Sequence, residues 1–183
     1  MEVILIFSNR ANSVTPSATV ELNAKVAQLL SAGVDVIKFN IGEPDFNTPD
    51  HIKQAAKDAL DENFTRYTAV SGTPELRRVI CEKLERDNKI SYKDNEICVT
   101  AGAKQALFES VLILAQEGDE ILLPTPCWVS YEDISKIAGA TPVLVPTKDT
   151  TGEMFHLDLD ALEKAITPHT KVIIINTPNN PTG

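Results

Sequence analysis

Short apolar runs and stretches of helical spacing alternate through the second half of the chain. The apolar runs fall at 97–99, 121–123, 143–145 and 172–175. The helical stretches between them fall at 103–116, 130–138 and 159–166, and Asp158 is placed to cap the last of these. Short runs of this kind are typical of strands that are buried on both faces. The alternation therefore predicts an α/β fold, in which a mostly parallel sheet is flanked by helices and joined by right-handed crossovers.

The first half of the chain has helical spacing and turn signals. Apolar residues at helical spacing predict helices over 16–30 and 52–60 and a third helix after Pro74. Gly33 follows the first helix as a stop signal, and residues 34–40 are consistent with a short strand. By themselves these segments indicate only an α-rich region.

Composition excludes several classes of function. The chain has 26 acidic and 17 basic residues, for a net charge of −9, and no cluster of Lys and Arg that would suit a nucleic acid. Residues 1–7 are apolar but too short to span a bilayer and have no basic leader, so neither a signal peptide nor a membrane segment is expected. Cys81, Cys98 and Cys127 form no Cys-x-x-Cys pair, and the histidines match no ligand spacing. The sequence thus predicts no disulfide framework, no metal site and a cytoplasmic location.

Three loops follow predicted strands at the same edge of the predicted sheet. They cover 100–104, 124–128 and 176–183. Ligands of parallel α/β sheets bind outside the carboxyl ends of the strands. We therefore expect these three loops to converge on one site.

Each of the three loops has a functional interpretation and a purely structural one. The small residues of 100–104 let backbone N–H groups approach an anion at a helix N-terminus, but they also suit an ordinary strand-to-helix turn. The indole of Trp128 suits stacking on a cofactor ring, and equally the packing of a core tryptophan. The amides and prolines of 176–183 suit a rigid hydrogen-bonding loop or a structural turn. The residues alone leave these alternatives open.

A set of motifs occurs in a fixed order along the chain. They are GEPDF at 42–46, Tyr67 followed by SGTPELR at 71–77, GAKQAL at 102–107, PCWVSY at 126–131, and NNPTG at 179–183. Together they resemble the class I/II aminotransferases of fold type I, and most of all the aspartate aminotransferase subgroup that includes prephenate-using enzymes. The resemblance runs from about residue 13 to residue 183. It implies an enzyme that moves an amino group between an amino acid and a 2-oxo acid with pyridoxal phosphate as cofactor.

The resemblance assigns cofactor contacts to particular residues. Gly102, Ala103 and Lys104 match the turn that binds the cofactor phosphate. Trp128 matches the aromatic residue that packs on the pyridine ring and borders the substrate. Asn180 matches the amide that hydrogen-bonds the phenolic oxygen and also faces the substrate, and the family loop implies a cis Asn180–Pro181 bond.

Further contacts are implied for the substrate and for a second subunit. Gly42 would contact the substrate carboxylate through its backbone, and Tyr67 would reach the cofactor phosphate of the neighbouring subunit of a homodimer. One departure concerns the substrate, because Thr15 stands where the prephenate-using members have a lysine. An aspartate-type amino acid is the favoured substrate.

The resemblance also sets the expected domain division. Residues 1–14 would form an N-terminal arm, 15–46 part of a small domain, and 47–183 the first part of the large cofactor-binding domain. The Schiff-base lysine is expected downstream of Gly183, so no catalytic residue is assigned within the chain. The alternatives are a catalytically incomplete cofactor-binding fragment, or a related lyase or racemase of the same fold.

Overall fold

The computed structural model describes residues 7–14, 18–39, 42, 44–149 and 155–183. The chain divides into two compact units, one formed by Met1–Thr15 with Ala101–Gly183 and the other by Pro16–Thr100. Each unit is described by itself below. The three-part domain division from the sequence stays a prediction.

The unit Pro16–Thr100 is helical in its described residues. Its helices are α2 (Ala18–Ser31), α3 (Asp50–Asp61) and α4 (Pro74–Lys83), with a π turn at Leu84–Asn88 and a 3-10 turn at Asp94–Glu96. The three predicted helices are therefore confirmed. Gly33 ends α2 at a φ of +77°, and the Val34 N–H donates to the Leu29 carbonyl at 3.1 Å, which is the hydrogen bond of a glycine C-cap. The Thr73 hydroxyl accepts from the Leu76 N–H at 3.3 Å and caps α4.

Two predicted strands in this unit were wrong. Neither 34–39 nor 97–99 is a strand, and Asn40 lies outside the described residues. A strand needs a hydrogen-bonded neighbour, and an apolar run does not by itself supply one. The segment at 97–99 is held differently, because the Val99 N–H donates to the Ser71 carbonyl at 3.0 Å while the Val99 side chain packs against Gly72.

The unit that contains Ala101–Gly183 is built on a parallel sheet, as predicted. Strand β1 (Glu120–Thr125) lies in the centre, between β2 (Thr141–Pro146) and β5 (Thr170–Ile173). Both pairings are parallel, with Leu122 of β1 opposite Val143 of β2 and Ile173 of β5. A small antiparallel pair, β3 (Lys148–Asp149) with β4 (Phe155–His156), follows β2.

Helices cover both faces of this sheet. They are α5 (Ala103–Leu114), α6 (Ser130–Ile137) and α7 (Leu159–Ala165), each close to its predicted bounds, and the short α1 (Asn9–Asn12) lies against α6. Residues Ile121 and Leu123 of β1 pack with Val111 of α5 and Ile134 of α6. Leu122 packs on the opposite face, with Leu162 of α7. Since residues 121–123 are fully buried, β1 is the centre of the core, and each of these side chains contributes about 1.5–3 kcal/mol to stability.

The predicted N-cap of α7 is confirmed. The Asp158 carboxylate accepts from the Ala161 N–H at 3.0 Å and also pairs with Lys148, whose Nζ lies 2.7 Å away. The acid therefore satisfies the start of α7 while the ion pair ties that helix to β3.

Within the described ranges, no helix is long and apolar enough to cross a membrane. The cysteines are free thiols. Among the same residues, no group of three or more His, Cys, Asp or Glu side chains is placed to hold a metal ion.

Candidate active site

The loops that leave the carboxyl ends of β1 and β5 are joined by a side chain. The Nδ2 atom of Asn179 donates to the carbonyl of Pro126 at 3.0 Å, across 53 positions of sequence. The two loops line a cavity of about 320 Å³, whose walls include Pro126, Cys127, Tyr131, Asn176, Thr177 and Asn179. The predicted convergence of 124–128 with 176–183 is therefore confirmed.

The third loop leads into the N-terminus of α5. Gly102 adopts a φ of +90°, a conformation that residues with a Cβ rarely take, and no atom lies within 4 Å of a Cβ built there. The N–H groups of Ala103 and Lys104 precede the first hydrogen bond of the helix, which Ala106 makes to the Gly102 carbonyl at 3.4 Å. Such groups, with the positive end of the helix dipole, suit an anion.

Lys104 connects this helix terminus to Trp128. Its Nζ atom lies over the indole ring, 4.7 Å from the centroid, which is a cation–π geometry. Trp128 is half-buried, packs at the margin of the core cluster and meets Tyr131 edge to face at 5.5 Å between ring centroids. The packing interpretation of this tryptophan is therefore confirmed in part, because one side of it contacts the core, whereas stacking on a cofactor ring stays a prediction.

The loop after β5 is folded on itself. The Gly183 N–H donates to the Asn179 carbonyl at 2.8 Å, and the Asn179 side chain donates to the Thr182 hydroxyl at 2.8 Å. Asn180 is exposed, and the Asn180–Pro181 bond is cis, as predicted. Two further cis bonds, Thr125–Pro126 and Thr177–Pro178, were not predicted.

Burial sets the protonation of two groups in the cavity wall. It raises the pKa of the Cys127 thiol, and the carboxylate of Glu132 raises it further. Burial likewise raises the pKa of Tyr131, with a smaller contribution from Cys127. Both groups are therefore neutral at pH 7, and Cys127 is not activated as a nucleophile.

Two of the residues singled out in the sequence lie in the other unit. Gly42 and Tyr67 belong to Pro16–Thr100, and both are exposed, Tyr67 completely. Their contacts with substrate and with a second subunit stay predictions. Thr15, which departs from the prephenate-using pattern, lies outside the described residues.

Sequence reasoning missed Asn179 and Tyr131. Asn179 was part of the NNPTG motif, but only its neighbour Asn180 received a role. A hydrogen bond that spans 53 positions leaves no local signal in the sequence. Tyr131 lies in the first turn of α6 and its N–H donates to the Trp128 carbonyl at 3.0 Å, but Trp128 precedes the helix, so helical spacing gave no signal for this pair.

Comparison with known proteins identifies relatives over nearly the whole chain. The family described as Aminotransferase class I and II matches residues 34–183. The "Probable aspartate/prephenate aminotransferase" of Aquifex aeolicus is 48% identical over 176 residues, which cover 96% of this chain and 44% of the relative. The aspartate/prephenate aminotransferase of Cereibacter sphaeroides is 49% identical over 170 residues, covering 93% of this chain and 42% of the relative.

Solved structures agree with these matches. A single mutant of the Thermus thermophilus aspartate aminotransferase superposes with a TM-score of 0.91 at 42% identity, covering 98% of this chain and 47% of that one. The alanine aminotransferase of Pyrococcus furiosus gives a TM-score of 0.90 at 36% identity, covering 97% of this chain and 45% of that one. The chain thus spans less than half the length of the relatives it matches.

Proposed function

This chain belongs to the class I and II aminotransferase family, and we propose that the protein carrying it moves an amino group between an amino acid and a 2-oxo acid with pyridoxal phosphate as cofactor. The observation that carries the proposal is the contact between Lys104 and Trp128. This contact supports the proposal because it connects a helix N-terminus, whose N–H groups suit an anion, to an aromatic side chain. A phosphorylated aromatic cofactor needs both groups side by side.

The phosphate end of the cofactor fits the start of α5. The φ of +90° at Gly102 and the open space in front of it let an oxyanion approach the backbone closely. Ala103 and Lys104 would supply N–H donors there, and the positive end of the helix dipole adds attraction. The Ala101 N–H does not contribute, since it already donates to Gln105 Oε1 at 2.8 Å.

The ring end fits the neighbouring loops. Trp128 would pack on the pyridine ring of the cofactor. A cofactor ring that stacks on the indole face now covered by Lys104 would take the place of the Lys104 ammonium group. The exposed amide of Asn180 would donate a hydrogen bond to the phenolic oxygen. The cofactor requires close approach of its phosphate to the backbone, a surface for its ring and a hydrogen-bond donor. Gly102, the Trp128 indole and the Asn180 amide would provide these in turn.

Pyridoxal phosphate, when bound, supplies an electron sink that stabilises negative charge at the substrate α-carbon. Gly102, Ala103, Lys104, Trp128 and Asn180 would hold and orient its ring and phosphate, and this would fix the direction from which the substrate approaches. Cys127 and Tyr131 stay neutral and add no charge to the cavity wall. The lysine that moves the α-proton stays a prediction, as does its place downstream of Gly183.

An aspartate-type amino acid is the proposed substrate. Relatives at 48% and 49% identity are named aspartate/prephenate aminotransferases, which supports a dicarboxylate. The alanine aminotransferase from Pyrococcus furiosus has the same fold, so the fold alone does not choose the amino acid. Gly42 would contact the α-carboxylate through its backbone.

The proposed assembly is a cytoplasmic homodimer. Full exposure of the Tyr67 side chain supports a role in which it reaches a second subunit. Free thiols at the cysteines support a reducing compartment.

Product analysis tests the proposed reaction. The protein that carries this chain is incubated with pyridoxal phosphate, nitrogen-15-labelled aspartate and 2-oxoglutarate, and the label is followed by mass spectrometry. We expect labelled glutamate to form in step with oxaloacetate. Labelled ammonia without glutamate would indicate a lyase, and bound cofactor without any product would indicate a cofactor-binding protein; either result contradicts the proposal.

A further inference from the structure

Asn179 is the residue through which the loop after β5 contacts the loop after β1. Its Nδ2 donates to the Pro126 carbonyl at 3.0 Å and to the Thr182 hydroxyl at 2.8 Å. A carbonyl accepts hydrogen bonds and cannot donate, so the amide nitrogen, rather than the amide oxygen, faces Pro126. Both amide protons are thereby used, one between the loops and one within the second loop.

The position of this bond matters because each end lies next to a proposed cofactor contact. Pro126 is two residues before Trp128, and Asn179 directly precedes Asn180. Pro126 and Pro181 have no backbone N–H, so neither can donate a main-chain hydrogen bond from one loop to the other. A side-chain amide is then the group that fixes one loop against the other.

From this geometry we infer that Asn179 is a positioning residue, which holds the Trp128 indole and the Asn180 amide in register for the two ends of one cofactor ring. The identity of the cofactor in this inference rests on the proposed function. The coupling between the two loops does not depend on the proposed function. Asn179 acts through Pro126 and through its own backbone, and no contact of its side chain with the cofactor is required. The partly buried side chain lies in the cavity wall, where water competes little for its hydrogen bonds.

The experiment uses the fact that Trp128 is the only tryptophan of the chain. Asn179→Asp keeps the side-chain shape, removes both donors and places a carboxylate oxygen against the Pro126 carbonyl. Gln116→Glu is the control, because it adds the same charge at an exposed position outside the cavity wall and leaves the hydrogen bonds of Asn179 in place. The readouts are quenching of Trp128 fluorescence by acrylamide without cofactor, apparent Kd for pyridoxal phosphate from the same fluorescence, and the far-ultraviolet circular dichroism of each variant.

We expect Asn179→Asp to raise the acrylamide quenching constant by roughly twofold to threefold and the apparent Kd by roughly fivefold to tenfold, as the loss of buried hydrogen bonds implies. The control should stay within about twofold of the unmodified chain in both. Quenching that is unchanged in Asn179→Asp, or equally changed in both variants, overturns the inference.

Further arms cover the remaining outcomes. If Asn179→Asp loses its circular dichroism signal, Asn179→Ala, which removes the bond to Pro126 without adding a charge, takes its place and must raise the quenching constant above that of the control; no rise overturns the inference. If the unmodified chain shows no saturable binding of pyridoxal phosphate while Asn179→Asp still raises the acrylamide quenching constant of Trp128, the proposed function fails and the loop coupling stands. If the cofactor binds equally well to all variants, the proposed function stands and the positioning role fails.

Discussion

The Nζ atom of Lys104 lies 4.7 Å from the centroid of the Trp128 ring, so the first turn of α5 and the loop after β1 meet through a cation–π contact. Lys104 belongs to the first turn of α5 and Trp128 to the loop after β1, so the contact joins a helix N-terminus to an aromatic side chain. This contact is the basis of the first two predictions.

Replacing the charge of Lys104 should have a small effect on stability. Lys104 is exposed, and a cation–π contact at such a site contributes about 0.5–1 kcal/mol. We expect Lys104→Met to lower the free energy of unfolding by about that amount and Lys104→Arg to leave it unchanged, as measured by denaturant titration. Equal losses in the two variants would contradict the role of the charge, and no loss in Lys104→Met would show that the aliphatic stem is sufficient.

Removing the indole should affect catalysis more than folding. Trp128 is half-buried at the margin of the core, so Trp128→Ala should lower the free energy of unfolding by less than the roughly 3–5 kcal/mol typical of a fully buried tryptophan. If the ring borders the reacting atoms as proposed, kcat/KM of the protein that carries this chain should fall by at least about tenfold. Trp128→Phe, which keeps an aromatic face, should recover part of the activity. A large loss of Tm with normal turnover would contradict this.

Gly72 should tolerate no side chain. A Cβ built on it lies 2.6 Å from Val99 Cγ2, and its φ of +98° disfavours any residue with a Cβ. We expect Gly72→Ala to lower the free energy of unfolding by about 2–4 kcal/mol, from overpacking and backbone strain combined. Gly33→Ala is the control, since Gly33 has a φ of +77° but no atom within 4 Å, and should cost only about 1 kcal/mol. Equal losses in thermal or denaturant unfolding would contradict the packing argument.

The start of α7 should be sensitive to acid through Lys148. The hydrogen bond from Lys148 lowers the pKa of Asp158, as does the bond from the Ala161 N–H. A carboxyl whose folded pKa is depressed contributes stability above its unfolded pKa and loses it as the pH falls through the folded pKa. The Tm difference between the unmodified chain and Lys148→Met should therefore be constant near neutral pH and shrink below about pH 4.

The ion pair between Lys148 and Asp158 also determines how the Tm difference changes at alkaline pH. The hydrogen bond with Asp158 raises the pKa of Lys148, so its contribution is complete below the ordinary lysine pKa and is lost as the pH rises through the folded value. A Tm difference that does not change between about pH 2 and pH 7 would contradict the acid-side prediction.

Periodicity and turn chemistry were sufficient to predict the helices and the central strands. The apolar residues of β1 lie alternately on the two faces of the sheet, and helices cover both faces. An uninterrupted apolar run such as 121–123 requires burial on both faces. The run at 97–99 is also apolar, yet its Val99 contacts Ser71 and Gly72 instead of a strand. Pairing is decided by distant segments, and a single run does not contain that information.

The candidate site likewise combines residues that sequence motifs indicate with contacts that depend on distant segments. Gly102, Trp128 and Asn180 received their roles from motifs that resemble the family, since their residue types alone left a structural role open, and those roles stay predictions. The Lys104–Trp128 contact and the Asn179–Pro126 hydrogen bond depend on how the loops pack after the sheet forms. Such tertiary contacts could not be predicted from local pattern.

Comparison of two ligands tests the proposed site most directly. Pyridoxal phosphate and pyridoxal differ only in the phosphate, and binding of each is followed by quenching of the fluorescence of Trp128, the only tryptophan of the chain. If the phosphate lies at the N-terminus of α5 and the ring lies at Trp128, both ligands should quench saturably and pyridoxal phosphate should bind at least about tenfold more tightly. Equal affinities, or quenching that rises without saturation, would contradict the account.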